Sequence, residues 1–478
     1  MTIPTAEQLS QMPPDQAIGL LLGIIADLQR QLLDKSQPPK DSSNSSQPPA
    51  SDVVPRTRSL RRPSGKKPGG QPGHRGVTRR RADTPDLVQV RRPPICSGCG
   101  AGLDASLAGT VVERRQVIDL PPTRAVTTEY RCLAVTCPHC RRATVGRFPP
   151  EATASPSFGP RLQATVADLR DVHHLSYQRL QRALRDHFGC SISQASLVTL
   201  IAGAARRCRP AHEAIGEAVT GSPVLGCDET GQRVAGRGHW LWTFRTPRHT
   251  YLVSSPSRGS DVIAGVLGGL TTKAAWVSDR WKAQFKVQAA GGHQLCVPHL
   301  LRELPFCIDA KRSAWAYEVA LTPRRALALR DRVAAMLGEG RDCWSEPSWV
   351  GRREHAVAGL ERRLDAALSA PTHHKVDRKL QRTLSKAVHR SALTLFPRRA
   401  DVPADNNGSE RDLRPEKVHQ KVIGGFRSRV GAQWHSILMS VIQTASKQQQ
   451  DALARLEKLL GTGPPIQVRY QLGPAGAE

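Results

Sequence analysis

The sequence lacks a run of apolar residues long enough to cross a membrane. Its longest apolar stretch, Ala17 to Ala26, stops at Asp27 and has roughly half the length that a membrane-spanning helix needs. The first residues also lack a basic segment followed by a small-residue cleavage site, so they do not have the pattern of a signal peptide. We therefore expect no transmembrane helix, no export signal and a cytoplasmic location.

Acidic residues are scarce in this chain. Against 69 Lys and Arg there are 41 Asp and Glu, which leaves a net charge of +28 over 478 residues. Such an excess suits polyphosphate partners, whose contacts release counterions. Ribosome-associated and membrane-surface proteins share this property, so the charge favours nucleic acid without selecting DNA. The length predicts about two to four domains.

The cysteines favour a metal site over disulfides. Their number, 11, is odd, and Cys96 with Cys99 and Cys137 with Cys140 form two Cys-x-x-Cys pairs. Each pair can present two thiolates from a tight turn, and strand-like runs at 110–120 and 125–135 lie between the pairs. We predict a zinc ribbon over residues 87–150 with these four thiolates as ligands. Cys132 and His139 are secondary candidates.

Residues 1–38 contain a helical pattern in which Ile18, Leu21, Ile25, Leu28 and Leu32 alternate three- and four-residue steps. Both a dimerising coiled coil and a helix packed on its own domain fit this pattern. Residues 39–86 combine a Ser/Pro linker with a basic arm that can follow a phosphate backbone. The DNA-binding candidates in the arm are Lys66, Lys67, Arg75, Arg79, Arg80 and Arg81.

Residues 151–220 have the pattern of a helix-turn-helix. One helical segment reaches Gly189, a residue typical of helix C-termini, and a second begins after Ser191 or Ser193 as an N-cap. This arrangement predicts a second helix that is free to enter a major groove. An ordinary helical hairpin explains the segment equally well.

The pattern changes to strands from Pro223. Three strand-like segments, a helix over residues 260–270, a fourth strand ending at Asp279 and a fifth near 293–297 predict a ribonuclease H-like α/β core. Asp228 lies on the first of these strands. We expect Asp228 and Asp279 to be neighbours in such a sheet, within a catalytic domain over residues 221–430.

Phosphodiester chemistry explains why acids are sought at these positions. Two Mg²⁺ or Mn²⁺ ions about 3.5–4 Å apart activate the attacking oxygen and hold the leaving oxygen, and Mg²⁺ takes oxygen ligands. The third acid is best placed at Glu410, in a short helix capped by Asn406 or Asn407 and ending before Pro415. Glu229, Asp405 and Asp412 compete for these roles.

Several motifs occur in an order that resembles the IS66 type of bacterial insertion-sequence transposases. They are KPGGQPGHRG, the two Cys-x-x-Cys pairs, CDET, VSD, CVPHLLREL and DNNGSERDLRPEK. By this resemblance Asp228, Asp279 and Glu410 correspond to a catalytic DDE triad that holds two Mg²⁺ or Mn²⁺ ions. The chain departs from the family's pattern at Arg280, Trp281, Pro298 and Leu301.

Other residues near the acids are assigned supporting roles. Cys296, His299 and Arg302 are expected to support the active site, Cys296 as a buried residue and His299 bonded to a carboxylate or to DNA. Basic residues near Glu410 are expected to meet DNA phosphates: Arg411, Arg414, Lys417 and Lys421. A mostly helical insertion over about 310–400 separates the second and third acids, and a closing helix and tail occupy residues 431–478.

Together these features predict a DNA transposase. By the resemblance, its DNA partners are the element's terminal inverted repeats and the target, and two element ends favour a homo-oligomer. Accessory proteins of the same element and a place at the bacterial nucleoid are further expectations. Two alternatives stay open: a zinc-containing DNA-binding regulator with an inactive core, and a nuclease of the same fold that cuts DNA without joining it.

Overall fold

The computed structural model describes residues 12–35, 73, 80–149, 152, 157–310, 312–386 and 391–461. The linker and most of the basic arm lie outside these residues, as do Lys66, Lys67, Arg75 and Arg79. Helix α1 spans Pro14–Lys35, as the N-terminal pattern predicts, and Ile18 and Leu21 are exposed on it. No helix in the described ranges has the length and hydropathy of a membrane span.

The cysteine-rich region contains fewer strands than predicted. A small hairpin of β1 (Ala134–Thr136) and β2 (Ala143–Val145) surrounds the second Cys-x-x-Cys turn. The predicted strand over 110–120 is absent from the structure, and that over 125–135 is limited to the residues that begin β1. Val112 and Val117 are more than 90% exposed, so these runs lack the packing that a strand requires.

Three helices follow: α2 (Pro160–Asp171), α3 (Tyr177–Phe188) and α4 (Gln194–Thr220). Gly189 ends α3 with φ of 61°, the left-handed conformation that glycine tolerates. Ser193, rather than Ser191, caps α4 by accepting a hydrogen bond from the Ser196 N–H. The prediction of a free second helix needs correction, because one face of α4 packs along its length into the main hydrophobic core while the opposite face is exposed.

A five-stranded mixed sheet forms the centre of the fold. Its strands are β3 (Val224–Val234), β4 (Arg237–Arg245), β5 (Thr250–Ser255), β7 (Ala275–Ser278) and β9 (His293–Leu295), in the order β5-β4-β3-β7-β9. The first three are antiparallel, whereas β7 and β9 run parallel to β3. Helix α5 (Ser260–Leu267) connects β5 to the short β6 (Thr271–Thr272), which pairs with β8 (Gln288–Ala289).

The segment between β9 and the third acid is mostly helical, as predicted. It contains α6 (Val297–Pro305), a π-helical turn (Phe306–Ala310), α7 (Ala314–Gly338), α8 (Pro347–Ser369) and α9 (Lys375–Leu384). These helices contribute to two hydrophobic clusters, one that contains Trp315 and Leu364 and one that contains Phe396 together with residues of β7. The chain therefore combines a sheet-centred core with a helical insertion in a mixed α/β fold.

Three helices close the described chain: α10 (Asn407–Ile423), α11 (Arg429–Lys447) and α12 (Ala452–Gly461). Two predictions are wrong here. Helix α10 continues through Pro415, because buried residues on both sides of the proline hold it in place. The closing helix is interrupted near Gln449, whose φ is 58°, so α11 and α12 are separate.

Candidate active site

Two aspartates lie next to each other where the parallel pairing of the inner strands β3 and β7 ends. Strands β3 and β7 are parallel, and their last register pair is Gly226 with Val277. Asp228 and Asp279 each follow that pair by two residues. The sheet therefore brings both carboxylates to one site.

Helix α10 carries Glu410 in its first turn, and Asn406 attaches the start of that helix to the sheet. The Asn406 side chain donates a hydrogen bond of 2.9 Å to the backbone carbonyl of Cys227, the residue before Asp228. It also accepts one of 2.6 Å from the Ser409 hydroxyl. Asn406 thereby fixes the positions of two candidate acids relative to each other.

A glycine permits this close approach. A Cβ atom at Gly226 would lie 2.9 Å from the Ser409 Oγ atom of α10, closer than non-bonded atoms tolerate. Any larger residue at position 226 would therefore displace the Ser409 hydroxyl, which donates to Asn406. Gly226 lies two residues before Asp228, so the need for a glycine applies to the same stretch of β3 that carries the acid.

The electrostatics show that the three acids share one environment. Burial raises the pKa of Asp228 well above its ordinary value, and the neighbouring carboxylates of Asp279 and Glu229 raise it further. Glu410 contributes in the same direction. A divalent cation offsets this mutual repulsion and the desolvation of the carboxylates, which is the property expected of a metal-binding group of acids.

His299 on α6 approaches the third acid. Its Nε2 atom lies 3.3 Å from Glu410 Oε1, but the pair is not aligned as a hydrogen bond, and that oxygen receives none from the described residues. Burial lowers the pKa of His299, while the Glu410 carboxylate opposes the shift. Cys296 is buried, and Arg302 lies close enough to His299 to influence its pKa. Their supporting roles stay predictions.

The competing acids each have partners of their own. Arg258 forms an ion pair of 2.9 Å with Glu229, and Gln284 donates to the other oxygen of that carboxylate at 3.2 Å. Asp405 accepts a hydrogen bond of 2.9 Å from the Asn407 N–H. Asp412 is buried, pairs with Arg245 and Lys447, and accepts a hydrogen bond from the Thr250 hydroxyl. The ion pairs of Glu229 and Asp412 make these two acids poorer candidates for metal ligands than Asp228, Asp279 and Glu410. The contact of Asp405 does not distinguish it, because Asp228 and Asp279 accept similar backbone hydrogen bonds.

Sequence reasoning missed a stacked group of one arginine and two tryptophans beside the candidate acids. Arg258 lies between two indole rings, 4.3 Å from the Trp240 centroid and 3.8 Å from the Trp281 centroid. Trp281 in turn donates its backbone N–H to Asp279 at 2.8 Å, and Arg280 pairs with Glu303. The sequence does not indicate that Arg258 stacks between Trp240 and Trp281, because the three residues come from separate elements.

Exposed basic residues lie beside the acids. In α10 the buried residues Asp412, Leu413, Glu416 and His419 face the core, whereas four cationic residues face solvent. We refer to these four as the α10 basic stripe: Arg411, Arg414, Lys417 and Lys421. Arg80 and Arg81 of the basic arm are also exposed. Contact with DNA stays a prediction for all of them.

The two Cys-x-x-Cys pairs adopt matching tight turns. In the first, Gly100 donates to the Cys96 carbonyl at 2.9 Å, and in the second Arg141 donates to the Cys137 carbonyl at 2.8 Å. Hydrogen bonds from the Cys99 and Cys140 backbones lower the thiol pKa of the first cysteine in each turn. Each turn is therefore prepared to present a thiolate, although the four sulfurs do not converge into one ligand group.

One group in the described part of the chain does have three ligand-type atoms within 4.8 Å of one another. It consists of the buried residues Asp171, His419 and His435, on α2, α10 and α11. It is separate from the three candidate acids, which are not drawn together as closely. Sequence reasoning did not find this group, because its members are scattered among three helices.

A family model described as "Transposase IS66 family" matches residues 156–434. The match extends from just before α2 into α11 and includes every residue of the candidate active site. No curated protein matches the chain.

Proposed function

The chain belongs to the IS66 transposase family, and from that premise we propose that it binds the ends of an insertion element and cuts and joins DNA strands in a metal-dependent reaction. The observation that carries the proposal is that Asp228, Asp279 and Glu410 lie together where the pairing of β3 with β7 ends. Three separate segments present these acids, and the competing acids Glu229 and Asp412 form ion pairs with other residues.

The topology supports a ribonuclease H-like assignment for the core. Counted along the chain, the five strands of the central sheet lie in the order three-two-one-four-five, with the first three antiparallel and the last two parallel to the first. This arrangement puts the first and fourth strands side by side. Asp228 on the first strand and Asp279 directly after the fourth then lie near a third acid, which a later helix carries.

The residues present fit Mg²⁺ or Mn²⁺. Both ions prefer oxygen ligands, and the candidate site offers three carboxylates, of which the Asp228 group is held in a buried, mutually repulsive setting. Two bound ions would supply the positive charge that activates water or a 3′-hydroxyl group and stabilises the leaving oxygen. Asp228, Asp279 and Glu410 are the residues that would hold them.

The other residues of the site position these acids and the DNA. Asn406 ties the Glu410 helix to the β3 backbone, and His299 limits the orientations open to the Glu410 carboxylate. The α10 basic stripe projects to solvent from the same helix, where it can hold phosphates. Direct attack by water or by a DNA hydroxyl needs no covalent enzyme intermediate, so no Ser or Tyr nucleophile is assigned.

Recognition of the element ends is assigned to the N-terminal half. Two consecutive helices, α3 and α4, joined through Gly189, support a helix-turn-helix assignment. The exposed start of α4, with Gln194 and Ala195, is the part that would reach base edges. The cysteine turns would be joined by one structural Zn²⁺ bound to Cys96, Cys99, Cys137 and Cys140. The basic arm adds phosphate contacts that carry no sequence information.

The test is an assay of the full chain with labelled DNA that carries the element's ends, in the presence of Mg²⁺ or Mn²⁺. The proposal predicts both free 3′-hydroxyl ends and joined products. Cut DNA without joined products under the same conditions would identify a nuclease. Binding without cutting, even after the element's other proteins are added, would overturn the proposal in favour of a DNA-binding regulator.

A further inference from the structure

A buried cluster of ionisable side chains connects α10 to two other helices, away from the candidate acids. His435 of α11 lies at its centre, with its Nδ1 atom 2.8 Å from Asp171 Oδ1 on α2 and its Nε2 atom 2.6 Å from Glu416 Oε2 on α10. All three side chains are at most 3% exposed. We call these residues, together with Arg170, His174 and His419, the His435 cluster.

The contacts define where the protons lie. Both ring nitrogens of His435 face carboxylates, which only accept, so both nitrogens donate and His435 is a cation. Arg170 can only donate, so His419 Nε2, at 3.4 Å from the guanidinium, accepts. His419 Nδ1 then donates to His174 Nδ1 at 3.2 Å. Two cations thus balance two carboxylates in the interior of the fold.

This assignment argues against a metal ion in the cluster. Asp171, His419 and His435 have ligand-type atoms within 4.8 Å of one another, but every ring nitrogen of the two histidines already has a partner. The Arg170 guanidinium also contributes a positive charge where a cation would bind. The cluster therefore acts through its own ion pairs.

The cluster is connected to Glu410 through α10, because Glu416 and His419 of the cluster lie on the same helix as Glu410. Pro415 has no N–H to donate, so the helix lacks one hydrogen bond between the turn with Glu410 and the turn with Glu416. Side-chain anchors on both sides of Pro415 then determine the direction of the helix. Asp412 is the anchor before it, through Arg245 and Lys447, and Glu416 is the anchor after it.

We propose that the His435 cluster is a positioning element that fixes α10 against α2 and α11, and thereby holds Glu410 in register with Asp228 and Asp279. The inference rests on the proposed function, because it takes Glu410 to be the third metal ligand. His435 and Glu416 are positioning residues, since neither touches the acids. The cluster also joins α2, which leads into the α3–α4 pair, directly to the helix that carries the third acid.

The test uses the full chain and two measurements. Hydrogen exchange across residues 407–423 reports how firmly α10 is held, and electron paramagnetic resonance titration reports Mn²⁺ affinity. His435→Gln is expected to speed exchange in α10 and weaken Mn²⁺ binding about tenfold or more, because it leaves two buried carboxylates without their shared cation. The double variant His435→Gln with Glu416→Gln removes one charge of each sign and is expected to recover most of the loss.

Ser440→Ala is the matched control. Ser440 is a buried residue of the same helix as His435, and its hydroxyl accepts a hydrogen bond of 2.9 Å from the Leu252 N–H. This variant is expected to lower Tm without changing Mn²⁺ affinity or exchange in α10. Glu416→Gln, which keeps the side-chain shape, replaces His435→Gln if the latter does not fold.

Two outcomes would overturn the inference. One is normal α10 exchange or normal Mn²⁺ affinity in a folded His435→Gln protein, and the other is an equal loss in Ser440→Ala. Failure of the proposed function has a different signature, namely Mn²⁺ binding in the wild type that Asp228→Asn does not weaken. In that case the exchange measurement still determines whether the cluster holds α10.

Discussion

The imidazole Nε2 of His299 lies 3.3 Å from the Glu410 carboxylate and links α6 to α10 across the candidate active site. A residue of the helix that follows β9 thereby lies beside a residue in the first turn of α10, although the whole insertion separates the two helices in sequence. Glu410 Oε1 receives no hydrogen bond from the described residues, so the contact with His299 is a polar contact of this oxygen that a substitution can test.

Removal of the His299 side chain should weaken metal-dependent activity. Contacts to metal ligands from the surrounding shell are typically worth about 10- to 100-fold in metal affinity or activity, so we expect His299→Ala to lose about tenfold. His299→Gln, which retains an N–H donor, should lose less. Cleavage rates measured over a range of Mn²⁺ concentrations, with DNA binding as the control, check this. A wild-type metal dependence in His299→Ala would contradict it.

The cysteine turns should bind one Zn²⁺ per chain. Elemental analysis of the purified protein is expected to find zinc that is lost on substitution of a cysteine from either pair, for example Cys96→Ser or Cys137→Ser. Cys132→Ser is the matched control, because Cys132 lies nearby but outside both turns, and it should retain the metal. A protein without zinc and with all four thiols reduced would refute the zinc assignment.

The α10 basic stripe should contribute to the salt dependence of DNA binding. Each phosphate contact that is lost lowers the slope of log K against log salt by about 0.9 for B-form DNA. The double variant Lys417→Gln with Lys421→Gln should therefore reduce the slope by roughly 1.8. Lys458→Gln, at an exposed position on α12, is the control. An unchanged slope in the double variant would place the stripe away from DNA.

The His435 cluster predicts a defined effect of pH on stability. Burial alone lowers the pKa of His435, but Glu416 and Asp171 outweigh it and raise the pKa to about 10. The stabilisation is complete below the unfolded imidazole pKa of about 6.5 and is lost as pH rises from there through the folded value. Calorimetry should show Tm falling more steeply between these pH values in the wild type than in His435→Gln. Equal slopes would contradict the charged state assigned to His435.

The sheet-borne part of the site was predictable because it depends on local pattern and strand geometry. Asp228 and Asp279 each follow an apolar run, and the parallel pairing of the two runs brings the residues that follow it together. Strand β3 continues past Asp228 to Val234, so the expectation that the strand ends on the acid was wrong. The choice of Glu410 over Asp412 rested on its place in the motif. The structure adds a physical reason, since Asp412 is committed to Arg245 and Lys447.

The features that sequence reasoning missed depend on contacts between distant segments. The His435 cluster joins residues of α2, α10 and α11, and no spacing rule connects them. Continuation of α10 through Pro415 likewise depends on buried tertiary contacts that outweigh the local preference of proline. The strand expected over 110–120 does not form, because its apolar residues are exposed and lack the tertiary contacts that would stabilise a strand.

The most direct test of the assignment compares each candidate acid with its neighbour in the strand-joining assay. Asp228→Asn and Glu410→Gln are expected to abolish joining while DNA binding persists. The matched variants Glu229→Gln and Asp412→Asn, where they remain folded by hydrogen exchange, should retain measurable joining because those acids have structural partners. Joining by Glu410→Gln at the wild-type rate would contradict the assignment of the third acid, and joining by Asp228→Asn would contradict the proposed active site itself.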